Sequence, residues 1–279
     1  MNNNLVKWPD NANCAAMITM NLDAEFFWLG LSPDCVDRPK TMSMGQYGMK
    51  RGLDRVLDVL DKYGVKATFF VLGKVAEAYP EKIKEIIKRG HEIAYHGYEH
   101  VNYASLTADE QRESFRKGIK LFQEKFGVTP KGFRVPEYEM TAETFGILNE
   151  FGFKYSSSMF GDDRPYFVNT SDNKKLVEIP IQWELYDFPY FAFNYTPAMP
   201  IGQARISNIT HVLESWKGEF NGYYKYGLCY VAQFEPQTIG TPGRIKMFDE
   251  LLEYITRMGK VYFATGSEMA DFWCKNQSK

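Results

Sequence analysis

Apolar residues along this chain alternate between two spacings. In MKRGLDRVLDVLDKYGV, Leu53, Val56, Leu57 and Leu60 recur at the interval of one helix face, and Gly64 supplies a stop. The run KATFFVLG that follows is compact and apolar, as in a buried strand. The alternation continues: helix YPEKIKEIIKRG, strand EIAYH, helix LTADEQRESFRKGIKLFQEKFG, strand GFRVP, helix MTAETFGILNEFG and strand KYSSS. A late block adds strand LCYVAQF, helix GRIKMFDELLEYITRMG, strand VYFAT and a last helix from about Ser267, while AAMITM near the start predicts the first strand. Repeated strand-then-helix units predict an α/β fold with a parallel sheet covered by helices, either a barrel or a doubly wound sheet. In a barrel, chemistry sits at the C-terminal ends of the strands.

A chain of 279 residues suffices for a full core. It shows no linker of Ser, Gly and Pro, no internal repeat and no low-complexity tract, so one domain over residues 1–279 is expected. The stretch from about 160 to 203 breaks the pattern. It reads as a long irregular insertion, and its aromatic run WELYDFPYFAFNY argues against disorder. With 24% charged residues and a formal net charge of −2, nothing recruits nucleic acid or an anionic membrane. No apolar run is long enough to span a bilayer and no basic leader precedes an apolar stretch, so a cytoplasmic location is expected. Cys14, Cys35, Cys229 and Cys274 are far apart, as reduced thiols would be.

Three of the four histidines lie in HEIAYHGYEH, residues 91–100. His96 and His100 leave the end of a strand four residues apart, so a helical turn there would aim both rings to one side, as two ligands of one ion require. Two satisfied histidines at the rim of a core fit the spacing equally well. His91, in the turn entering the strand, reads as structural, and His211 falls on a helix facing solvent. In MITMNLDAEFFWLG, Asn21, Asp23 and Glu25 alternate after the first strand; Asp23 with the two histidines would make a site of one carboxylate and two imidazoles. Arg134, in GFRVPEYEMT, also follows a strand, where it would either grip a carboxylate in a two-pronged bond or form a surface ion pair.

The order of these motifs resembles the polysaccharide deacetylase superfamily, also called NodB-homology or carbohydrate esterase family 4. LDAEFFWLG, HGYEH, GFRVP, KYSSSMFGDDRPY, LVEIPIQWELYDFPYF and IGTPGRIKMFDELLEYI are most similar to its cytosolic branch of Helicobacter-type peptidoglycan deacetylases, cyclic imidases and cofactor-independent allantoinases. The resemblance implies a distorted (β/α) barrel of the NodB-homology type, and one divalent ion, most often zinc, on Asp23, His96 and His100. It also implies a base two residues before the metal Asp and an acid histidine in a late His-Pro pair. Here Asn21 stands at the first position and Glu235, in FEPQTIG, at the second.

Asn21 cannot serve as a base at neutral pH. Three readings stay open. Chemistry survives with Glu235 as base or acid, helped by Glu25 and Arg134, on an N-acetylated sugar; or the substrate is a small cyclic imide or ureide; or the chain is a catalytically impaired binding homologue. Tyr138, Asp163, Trp183 and Asp187 are the candidate substrate contacts. The aromatic insertion suits a pocket wall or a subunit contact, and the resemblance implies a homo-oligomer, a dimer or tetramer. The absence of an export signal or a carbohydrate-binding repeat tilts the expected substrate towards a small molecule or a short sugar.

Overall fold

The computed structural model describes residues 6–137, 139–170, 174–194, 196–199 and 206–277. Its centre is a curled sheet whose strands are β1 (Cys14–Leu22), β2 (Thr68–Val71), β3 (Glu92–Tyr95), β4 (Gly132–Phe133), β5 (Tyr155–Ser156), β6 (Tyr166–Asn169), β7 (Lys175–Glu178), β8 (Cys229–Phe234) and β9 (Val261–Phe263). The order is β6-β7-β5-β4-β3-β2-β1-β8, with β9 beside β1. Every pairing is parallel except β6 with β7. The strand path runs from β6 to β8, and beyond β8 Tyr186 bridges to Gln233. Together these make the distorted half-barrel of an α/β domain.

β1 is buried along its whole length, as a central parallel strand should be. Helices Leu53–Tyr63, Pro80–Lys88, Ala108–Phe126, Ile209–Tyr226 and Pro242–Met258 pack outside. Leu53, Val56, Leu57 and Leu60 all face the core, and Gly64 ends that helix in the left-handed conformation at φ 64°. Thr107 and Glu110 form a capping box that starts the helix at Ala108. His91 accepts from the Ala67 N–H at 3.2 Å, and His211 lies exposed on its helix. Cys14, Cys35 and Cys229 are buried thiols.

The insertion is more regular than its sequence suggests. β6 and β7 form an antiparallel hairpin inside it, and β7 then enters the main sheet beside β5. β6 is only partly buried along its length. Among the described residues no helix is long and apolar enough to cross a membrane.

Candidate functional site

Parallel pairing puts the C-terminal ends of β1, β3, β4, β5 and β8 along one rim. Asp23, His96, Arg134, Ser157 and Glu235 each lie within two residues of such an end. His96 and His100 do not sit on a helical turn. The chain bends sharply at Gly97, whose φ of 87° suits glycine, and this bend rather than helical spacing brings the rings to 6.3 Å between centroids. Gly30 permits the segment before Ser32 to pass the His100 backbone, since a Cβ there would stand 2.1 Å from its carbonyl oxygen.

Asp23, His96 and His100 are all buried. His96 Nε2 lies 3.4 Å from Asp23 Oδ1, and His100 Nε2 lies 3.8 Å from Asp23 Oδ2. Among the described residues no three His, Cys, Asp or Glu side chains close into a ready ligand cage. The donor set nevertheless fits a divalent ion. His96 Nδ1 is 2.7 Å from the Arg134 carbonyl oxygen, to which it must donate, so a neutral ring turns the lone pair of Nε2 towards Asp23. The ring is neutral, because burial pulls its pKa down to about 4. Two acceptors therefore face each other, and Asp23 Oδ1 is buried with no hydrogen-bond partner. A cation resolves that opposition; ligand atoms about 2 Å from a tetrahedral zinc stand roughly 3.3 Å apart. His100 Nδ1 points at Glu137 Oε1, 3.6 Å away, and Glu137 holds a positive φ of 50°.

Arg134 departs from the expected carboxylate grip. Its Nε donates to the Ser157 carbonyl at 2.8 Å, one terminal nitrogen to Thr19 Oγ1 at 2.8 Å and Asn21 Oδ1 at 3.0 Å, and the other to Ser157 Oγ at 2.9 Å. All these partners are neutral. The guanidinium also lies 4.1 Å over the Phe70 ring, and burial pulls its pKa down to about 10. It is a buried floor of the site, not a surface ion pair.

Glu235 caps the opposite wall. Tyr186 donates its hydroxyl to Oε1 and Gln237 its amide to Oε2, while the Glu235 N–H donates to Asp187 at 3.1 and 3.2 Å from its two oxygens. Burial pushes the Glu235 carboxyl well above its ordinary range, and the charges of Asp23 and Asp187 add to this. Glu178, also buried, accepts from the Ser158 and Met159 N–H groups, and burial pushes it up to about 7.

A pocket of about 60 Å³ joins these groups; Asn21, Asp23, His96, His100, Arg134 and Glu235 all line it. Trp183 also lines it and is 44% exposed, with Phe160 5.3 Å away between ring centroids, so the pair forms an open aromatic mouth. Three candidates stand elsewhere. Glu25 is turned outward from the pocket to accept from Tyr79, Asp187 secures the Glu235 backbone, and Asp163 is exposed in a shallow depression with Gln182 and Glu219. Tyr138 lies outside the described residues. Ser157, Gln237 and Thr19 carried no signal in the sequence, and Tyr186 stood out only as one aromatic among many.

The Polysaccharide deacetylase family pattern matches residues 41–156. A peptidoglycan deacetylase of Helicobacter pylori is 28% identical over 93% of this chain and 96% of its own. A Mycobacterium smegmatis crystal structure named as a "putative polysaccharide deacetylase" superposes with a TM-score of 0.91 at 35% identity, over 98% of this chain and 94% of the other. An allantoinase shares the fold, with a TM-score of 0.86 over 100% of this chain and 96% of its own, at 21% identity. Identity of 35% sustained along both chains of the Mycobacterium smegmatis match, on a matching half-barrel, means that the protein belongs to the polysaccharide deacetylase family, hydrolases of carbon–nitrogen bonds outside peptides.

Proposed function

We propose that this chain removes the acetyl group from an N-acetylated amino sugar, with a divalent ion, zinc by the character of its donors, held by Asp23, His96 and His100. The observation that carries the reading is the buried, unpartnered Asp23 Oδ1 facing the lone pair of His96 Nε2. Such an ion supplies Lewis acidity at the pocket floor. Glu235, kept neutral by burial, gives its proton to the departing nitrogen and regains one from the water that adds to the carbonyl carbon. The carbon–nitrogen bond breaks, leaving acetate and the free amine. Arg134, bonded only to neutral groups, keeps its charge available to the carboxylate product. The narrow pocket, walled by Phe27, Val135, Ile181 and Phe188, suits an acetyl group, with the sugar ring resting outside on Phe160 and Trp183.

The test is acetate release from N-acetylglucosamine and its oligomers, and ring opening of a cyclic imide, at equal zinc loading. Release from the sugars, abolished by chelation and restored by zinc, is expected. Turnover of the imide alone would replace the substrate, and zinc binding with no turnover of any of the three would leave a binding homologue.

A further inference from the structure

The amide at residue 21 belongs to a chain of hydrogen bonds with one direction. Arg134 has only donors, so the oxygen of the Asn21 amide must face it, as the 3.0 Å bond to Oδ1 records. The amide nitrogen is thereby turned to the other side, where Nδ2 donates to the Tyr186 hydroxyl oxygen at 3.3 Å. That oxygen already accepts, and its own hydrogen goes to Glu235 Oε1. All four side chains are buried. On the other oxygen of Glu235 stands Gln237, whose amide offers either a donor or an acceptor according to its orientation. One side of the Glu235 carboxyl is thus fixed and the other adaptable.

We infer that Asn21 is a positioning residue: held by Arg134, its amide commits the Tyr186 hydroxyl to Glu235 and so orients the carboxyl that serves the leaving nitrogen. This inference rests on the proposed deacetylation for its catalytic part only. An aspartate at residue 21 would pair with Arg134 through one oxygen and accept from Tyr186 through the other. The tyrosine hydrogen would then be drawn away from Glu235. A carboxylate at residue 21 therefore harms this site, whereas one in place of a spectator amide would be tolerated.

The experiment compares Asn21→Asp, Tyr186→Phe and the double variant with the wild-type holoenzyme for kcat, KM, bound zinc and the 13C signal of Tyr186 in protein labelled at the tyrosine ζ carbon. Expected are a fall in kcat of about 10²-fold in each single variant, KM within about twofold, unchanged zinc, and a double variant no worse than the singles because both break one chain. The Tyr186 signal, assigned by its loss in Tyr186→Phe, moves in Asn21→Asp. Unchanged or higher kcat in Asn21→Asp, or losses that multiply in the double variant, would overturn the inference. The labelled-tyrosine arm needs no substrate: if the wild type proves inactive on acetylated sugars, the reaction reading falls, and an unmoved Tyr186 signal in Asn21→Asp independently removes the polarity chain.

Discussion

Tyr79 donates its hydroxyl to the Glu25 carboxylate, 2.7 and 2.8 Å from its two oxygens, and so turns a candidate catalytic acid into a tie between two helical segments. Glu25→Gln keeps one acceptor and loses a charge-assisted bond of about 1–2 kcal/mol. Tm is expected to fall by roughly 2–6 °C, with kcat unchanged. A large loss of kcat at full zinc occupancy would return Glu25 to the chemistry.

Metal content is the plainest check on the cradle. About one divalent ion per chain is expected in purified protein, lost in the His96→Ala/His100→Ala double variant because a lone carboxylate holds zinc poorly. Elemental analysis decides it; wild type that stays metal-free after zinc soaking removes the site.

Glu235→Gln preserves the acceptor for Tyr186 but abolishes the transferable proton. A fall in kcat of about 10²–10⁴-fold is expected, with zinc content intact. Steady-state kinetics with parallel metal analysis separates this from loss of the ion.

Trp183 stands at the mouth and not beside the ion, so Trp183→Ala should raise KM for an acetylated oligomer by about tenfold while sparing kcat, the mark of binding shared by ground and transition states. A collapse of kcat at unchanged KM would place the indole in the reaction itself.

His91 gives the molecule a pH dependence apart from the site. Burial pulls its pKa from 6.5 to about 4, because a charged ring there is poorly solvated and Nδ1 is occupied as acceptor for Ala67. The unfolded chain takes up the proton that the folded one refuses, so its contribution to stability is whole above pH 6.5 and declines as pH falls towards 4. The loss reaches up to about 2 kcal/mol by pH 5, less where solvent screens the ring. Urea midpoints of wild type and His91→Asn between pH 7 and 5 should converge on acidification; parallel curves would show that His91 does not contribute.

Much of the layout was legible because helix and strand periods are strong where one face is buried. Leu53 to Leu60 and the apolar run through Phe69 and Phe70 announced their elements, and strand ends then located Asp23, His96, Arg134 and Glu235. The hairpin of β6 and β7 escaped because its first strand is half-exposed and carries no alternation. Spacing also misled at His96 and His100, where a glycine bend does the work assigned to a helical turn. Asp163 and Asp187 looked alike in sequence; only folding exposes the first and buries the second against the Glu235 backbone.

The rim of the sheet divides its labour. Asp23 and the two histidines come from β1 and β3, whereas Glu235, Gln237 and Tyr186 belong to β8 and the segment bridged to it. Asn21 links the two, through Arg134 and Tyr186. An architecture of this kind keeps the proposed proton-handling carboxyl on an element other than those carrying Asp23, His96 and His100. Side chains at residue 235 and around Tyr186 can then change, and new leaving groups be admitted, without rebuilding the barrel.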